Sequence, residues 1–168
     1  MRQMIFILLV FASLLGCSHA PEPAIQYYIF PVSAKMEHEQ TLNLNRAKVS
    51  VALAPYLQQE HLVVSTENNK VVFAHYHRWA QPLDYMIEQY LRSQLNRLNK
   101  PVRLSVTVER FHGGIDGTVY LQGYFVLGEQ SHHTFSFTVK QPEPGYSAMV
   151  DSMTKGLLIL SEKIFQTM

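Results

Sequence analysis

The chain has 168 residues with 14 basic against 13 acidic side chains, a formal net charge of +1, and this balance offers no cationic surface to nucleic acid. Its 47% hydrophobic content suits one buried core at this length. The single cysteine excludes an internal disulfide, even in an oxidising compartment.

Residues 1–16 read as a lipoprotein signal peptide. Arg2 supplies a minimal charged start, and the apolar run 4–15 is too short to cross a bilayer. Ser13-Leu14-Leu15-Gly16-Cys17 ends that run at the lone cysteine as a lipobox. Cys17 is therefore the expected lipid attachment residue and the first residue of the mature chain; the competing reading is an ordinary signal peptide cut at another bond. Two or three acyl chains, at ~0.8 kcal/mol per buried methylene, would make the attachment effectively permanent. Ser18 stands where an aspartate would signal inner-membrane retention, so the sorting rule for bacterial lipoproteins points to the periplasmic face of the outer membrane. Residues 17–24, with Pro21 and Pro23, form a lipidated, stiff tether, and 25–168 form one periplasmic domain. Loss of 1–16 removes Arg2 and no acid, which leaves 13 charges of each sign.

Strand patterns follow at 27–32 and, after a polar stretch, at 48–52, where Val49 and Val51 alternate with polar or small neighbours until Pro55. Two short strands at 62–65 and 71–76 suit a hairpin hinged on Asn68-Asn69. Over 82–98 the apolar period changes to 3.6, with Leu83, Ile87, Leu91 and Leu95 on one face of a helix. Asp84 lies near the positive end of that helix and Lys100-Pro101 stops it. Val102, Leu104, Val106 and Val108 form a half-buried strand, turned back at Gly113-Gly114 or Asp116-Gly117. Val119 to Leu127 and Phe135 to Val139 complete a meander, and Tyr146 onward is a second amphipathic helix. The predicted class is α+β: a single domain with a mostly antiparallel sheet and two amphipathic helices packed on one face.

Eight histidines raise the question of a metal. His75 and His77 would share a strand face, but His38-Glu39 does not extend into a two-histidine helical zinc motif and His132-His133 point to opposite faces. No metal or cofactor is expected. The chain has no Gly-x-Ser-x-Gly elbow, phosphate loop or dinucleotide glycine pattern, so the expectation is a non-enzymatic domain. Trp79, the lone tryptophan, sits at a strand-to-helix junction. Either its ring packs beneath the helix start, with Arg78 stacking on it or bridging to it, or it is an exposed anchor for a partner.

His77-Arg78-Trp79-Ala80-Gln81-Pro82-Leu83, preceded by Val71-Val72-Phe73-Ala74, resembles the signature of the PqiC (YmbA) family of auxiliary lipoproteins of envelope ABC-type transport. The lipobox at Cys17, the early Tyr27-Tyr28-Ile29-Phe30-Pro31, and Pro55-Tyr56-Leu57 leading into Leu62-Val63 agree with it in order and spacing. The chain departs from the family pattern at Gln81, where glutamate is more usual, and at Gln58-Gln59, where an aspartate and an arginine are common. The resemblance implies a subunit that docks an MCE-type periplasmic tunnel protein, a conduit for lipid, to the outer membrane. It also implies that Tyr27, Tyr28, Pro31, Pro55, Tyr56, Leu57, Arg78, Trp79, Pro82 and Leu83 are family-motif residues available for partner contact. A homo-oligomeric ring of such domains around the tunnel mouth is a further expectation. The alternatives are a stand-alone lipid carrier, which would need an enclosed apolar cavity, and, more weakly, a metal-dependent periplasmic hydrolase.

Overall fold

The computed structural model describes residues 22–31, 47–67, 70–98, 101–129 and 132–168. In chain order the elements are β1 (Gln26–Tyr28), β2 (Ala47–Leu53), a 3-10 turn (Pro55–Leu57), β3 (His61–Ser65), β4 (Val71–Trp79), α1 (Leu83–Asn96), β5 (Val102–Gly114), β6 (Thr118–Leu127), β7 (His133–Lys140) and α2 (Tyr146–Thr167). The strands form one sheet in the order β1-β4-β3-β5-β6-β7, with β2 also paired to β5. Both helices pack against this sheet and touch each other.

The class is α+β, but the sheet is mixed and not mostly antiparallel. β1 pairs with β4, β2 with β5 and β3 with β5 in parallel. Only β3–β4, β5–β6 and β6–β7 are antiparallel. The cause is the length of β5, which at 13 residues spans roughly 40 Å at ~3.3 Å per residue. β2 occupies its edge from Val102 to Val108, and β3 takes up the same edge at Gly113 and Gly114. The 3-10 turn between them carries the chain onward without reversing it, so two successive strands lie in line beside β5 and both run with it. Alternation of apolar residues marks a strand; it carries no information on the direction of the strand's neighbour.

The strand expected at 27–32 is shorter, Gln26–Tyr28, because Phe30 leaves the strand and enters the core at 3% exposure. The expected helix at 82–98 is regular from Leu83 to Asn96, with Pro82 as its N-cap. Arg97 and Leu98 add a final turn, donating to the Gln94 and Leu95 carbonyls. Of the two candidate reversals after β5, the chain uses Asp116-Gly117. There the Asp116 Oδ1 accepts the Thr118 N–H at 3.0 Å and Gly117 adopts φ 70°. Asn68, Asn69 and Lys100 lie outside the described residues, though β3 and β4 pair antiparallel as a hairpin requires.

β5 is also where the period of two breaks. Val102, Leu104, Val106 and Val108 are buried, and after a bulge between Val108 and Arg110 the buried parity shifts to Phe111. Glu109 is the extra residue. Across from the bulge stands Gly123 of β6, in register with Val108. A Cβ at Gly123 would run into the backbone carbonyl of Thr107 and close on the ring of Phe135, so only glycine admits this approach. Around the bulge, Phe111, Leu121 and Phe125 meet Ile87, Leu91 and Leu95 of α1 and Met153, Leu157, Leu160 and Ile164 of α2 in one cluster. Each such side chain contributes roughly 1.5–3 kcal/mol on burial. Gly123→Ala should therefore lower the unfolding free energy by at least ~1–3 kcal/mol, because the obstacle is backbone and cannot swing aside. An unchanged midpoint in urea unfolding would contradict this account of the bulge.

Candidate functional site

The strongest structural feature around the sequence signature is the junction of β4 with α1. Two backbone bonds hold it: Trp79 N–H donates to the Glu60 carbonyl at 2.6 Å, and Ala80 N–H donates to the Tyr28 carbonyl at 2.9 Å. The first ties the junction to the start of β3 and the second to β1. Trp79 itself is 5% exposed, with its ring 5.2 Å from that of Phe30 and tilted by 52°. Phe30 in turn lies 6.0 Å from Phe111, so the tryptophan continues into the central core. Of the two readings of Trp79, the buried one describes its position.

Arg78 neither stacks on Trp79 nor bridges to it. Its Nη1 pairs with Glu60 Oε1 at 2.8 Å, with the two side chains 20% and 56% exposed. A pair this open contributes only ~0–1 kcal/mol. Its role is positional, because it adds a side-chain tie where the backbones of Glu60 and Trp79 already meet.

Beside this junction is an open groove of about 690 Å³, bounded by residues 51–53 of β2, the turn 58–60, the junction 79–84, and Tyr27 of β1. Of the family-motif residues, Tyr27, Trp79, Pro82 and Leu83 line it. So do Gln58, Gln59 and Gln81, the three positions at which the sequence departs from the family pattern. The fold thus gathers them into one wall. Among the lining side chains only Glu60 and Asp84 are charged, and Glu60 is engaged by Arg78.

The remaining motif residues lie elsewhere. Leu57 is 2% exposed and belongs to the core, Pro55 opens the 3-10 turn, and Pro31 is exposed. Tyr56 sends its hydroxyl 3.0 Å to the carbonyl of Glu109, giving the bulged residue a partner. Tyr28 points to the other side of β1, where its hydroxyl lies 2.8 Å from Gln26 Oε1 and 2.8 Å from His77 Nδ1. Gln26 Oε1 can only accept, so the phenol donates to it and accepts from the His77 Nδ1–H. The His77 ring stacks on Tyr146 of α2 at 3.7 Å, and burial holds its pKa below the ordinary imidazole value. Cys17 lies outside the described residues.

His75 and His77 do not cooperate, since His75 stacks on His61 at 6.4 Å while His77 turns to Tyr146. Among the described residues, no three histidine, cysteine, aspartate or glutamate side chains gather where an ion could be held. A lipid carrier would need an enclosed apolar space. An apolar recess beside the helix layer, between Val64, Tyr146 and Met149, measures about 160 Å³, below the ~300 Å³ of a small ligand pocket.

A family model described as "ABC-type transport auxiliary lipoprotein component" matches residues 47–165. The chain belongs to that family. The match takes in β2 through α2, and with it the junction and three sides of the groove. No curated protein matches the chain. Among solved structures, the chain is similar to an uncharacterised protein with a TM-score of 0.73 and 26% identity, over 86% of this chain and 99% of that one. It also shares the fold of a Xanthomonas campestris protein at a TM-score of 0.57 and 15% identity, over 85% and 91% of the two chains.

Sequence reasoning missed Glu60 and the edge of β2 as parts of this region. Glu60 had one available signal, its charge opposite to Arg78, but 18 residues separate them. It also missed His112, which is 2% exposed beneath Tyr56. The His112 Nδ1 lies 3.0 Å from the Gly113 carbonyl, so the proton sits on Nδ1, while Nε2 accepts from Arg110 Nε at 3.4 Å. Burial lowers its pKa from the ordinary 6.5; the Gly113 bond opposes this in part, and Arg110 adds a smaller lowering.

Two outcomes follow for this region. Trp79→Ala should cost roughly 3–5 kcal/mol of stability, as large-to-small core changes do, and Arg78→Ala under ~1 kcal/mol; equal effects in thermal unfolding would contradict the burial argument. His112 binds its proton less readily in the folded than in the unfolded chain. Its contribution to stability is thus complete above pH 6.5 and lost as pH falls through its lower folded value, at a slope of at most ~1.4 kcal/mol per pH unit. Urea midpoints from pH 7.5 down to 4.5 should fall less steeply in His112→Gln than in the unaltered protein, and parallel profiles would contradict it.

Proposed function

We propose that this chain is a non-enzymatic, lipid-anchored subunit that docks an MCE-type periplasmic lipid-transport tunnel to the outer membrane, supporting lipid transport between membranes. The observation that carries this reading is the match of the auxiliary-lipoprotein family across nearly the whole described domain. The lipobox ending at Cys17 supports attachment through acyl chains, and Ser18 supports the outer membrane as its address. No described helix is long and apolar enough to cross a membrane. The resemblance of the 77–83 signature to PqiC lipoproteins supports the tunnel protein as partner, and sheet edges that a head-to-tail contact could use support a ring of identical domains as the assembly.

The chemistry asked of such a subunit is adhesion. Its groove lies against a rigid strand-to-helix junction, within a rim of amides and two carboxylates, an arrangement suited to holding another chain.

Cys17→Ser should move the protein from the membrane fraction to the soluble fraction of cell envelopes; a soluble, unacylated wild type would defeat the anchor. The purified lipoprotein in detergent should bind the tunnel protein saturably, and light scattering should find it larger than a monomer. A monomer with no measurable affinity for the tunnel protein would remove the docking reading.

A further inference from the structure

Among the described residues, β2 has one edge paired with β5 and one edge against which no strand lies. Leu53 is in register with Val108, and Ala54 N–H donates to the Val108 carbonyl at 2.9 Å. In a parallel ladder this assigns the backbone groups of residues 48, 50, 52 and 54 to β5 and turns those of 47, 49, 51 and 53 the other way. Side chains close the two ends of that second edge. Asn96 Oδ1 of α1 accepts the Ala47 N–H at 3.3 Å, and Gln58 Nε2 donates to the Leu53 carbonyl at 3.1 Å. Between these caps, no strand lies against Val49 and Val51 among the described residues. The groove described above begins where this stretch ends, at residues 51–53.

We infer that the open edge of β2 receives an extended segment of a partner chain as an added strand. The segment is about five residues long, has apolar side chains at alternate positions, and carries a lysine or arginine. Its length follows from the distance between the Asn96 and Gln58 caps. Its extended form follows from the N–H and C=O groups of Val49 and Val51, which no described strand bonds and which are costly to cover with anything that cannot bond to them. The alternation follows from strand geometry, which sends every second side chain to the face that leads into the groove beside residues 79–84. The cation follows from the rim. Glu60 is already paired with Arg78, whereas Asp84 is exposed and has no described side-chain partner, so the rim carries a net negative charge. The inference rests on the docking reading only for the identity of the chain that supplies the segment.

The test uses the full-length lipoprotein in detergent micelles and, as probe, a pool of capped hexapeptides that alternate valine with threonine and carry one lysine at each position in turn. In the free protein the amides of Val49, Val51 and Leu53 should exchange with solvent at least tenfold faster than those of Ser50 and Ala52. Adding the pool should slow the first three at least tenfold and leave the others unchanged. Val51→Pro removes an N–H that faces away from β5, so it spares the ladder, should keep the melting temperature within a few degrees, and should abolish the slowing. Asp84→Asn, which leaves the strand intact, should erase the preference for lysine-bearing peptides over lysine-free ones.

Protection of Val49 and Val51 already present at every concentration of the free protein would overturn the inference in favour of coverage by the chain itself. Protection that grows with protein concentration would overturn it in favour of a second copy, and peptide binding that leaves these amides fast would overturn it outright. If the tunnel protein binds wild type and Val51→Pro equally, strand addition fails while docking stands. If the tunnel protein binds neither but the pool still protects the edge, docking fails while strand addition stands.

Discussion

The domain depends on a local defect in its longest strand. β5 is in contact with β2, β3 and β6, and both faces of its core side are set by the bulge at Glu109. Without the extra residue, the parity that buries Val102 to Val108 would carry Phe111 to the opposite face, away from Phe30 and the tryptophan junction. Two partners make the defect tolerable. Gly123 leaves room for the Thr107 carbonyl, and the Tyr56 hydroxyl satisfies the Glu109 carbonyl. The 3-10 turn that carries Tyr56 is also the step between β2 and β3, so the residue that satisfies the bulge marks the point where one strand on that edge gives way to the next.

That handover produces the candidate site. Because β2 stops at Leu53 and β3 resumes at His61, the edge of β5 is covered in two instalments, and the chain between them bends outward as residues 54–60. The junction from β4 to α1 is pinned against this bend by the Trp79 N–H to the Glu60 carbonyl. The groove is the space left between the bend, the junction and the edge of β2. Its walls are rigid for different reasons: one is a strand ladder, one is a buried tryptophan, and one is the first turn of a helix whose Ile87 and Leu91 are fully buried. A docking surface built on such supports loses little entropy when it is occupied.

The tyrosine and histidine contacts divide between the two sides of the sheet. Tyr28, His77 and Tyr146 join β1, β4 and α2, while Tyr56, Arg110, His112 and Tyr120 line the other side of the bulged strand. Burial lowers the pKa of both histidines, so each couples the packing of its neighbourhood to acidity in the same direction.

The sequence by itself determined which segments are strands and helices, which of their residues face inward, and the signature around Trp79. These properties are periodic over a few residues and need no distant partner: Leu104 alternates with Ser105, and Leu91 follows Ile87 by one turn, whatever lies against them. The signature was likewise legible as a contiguous run, and the burial of Trp79 was one of its two readings. Tertiary structure alone decided the parallel direction of β1, β2 and β3, the bulge, the pairing of Arg78 with Glu60, and the convergence of Gln58, Gln59 and Gln81 on one groove. Each of these joins residues far apart in the chain, as Gly123 is matched to Thr107 and Tyr56 to Glu109. The physical reason is that strand direction and edge occupancy are set by which surfaces bury one another, and neighbouring residues along the chain carry no record of that choice.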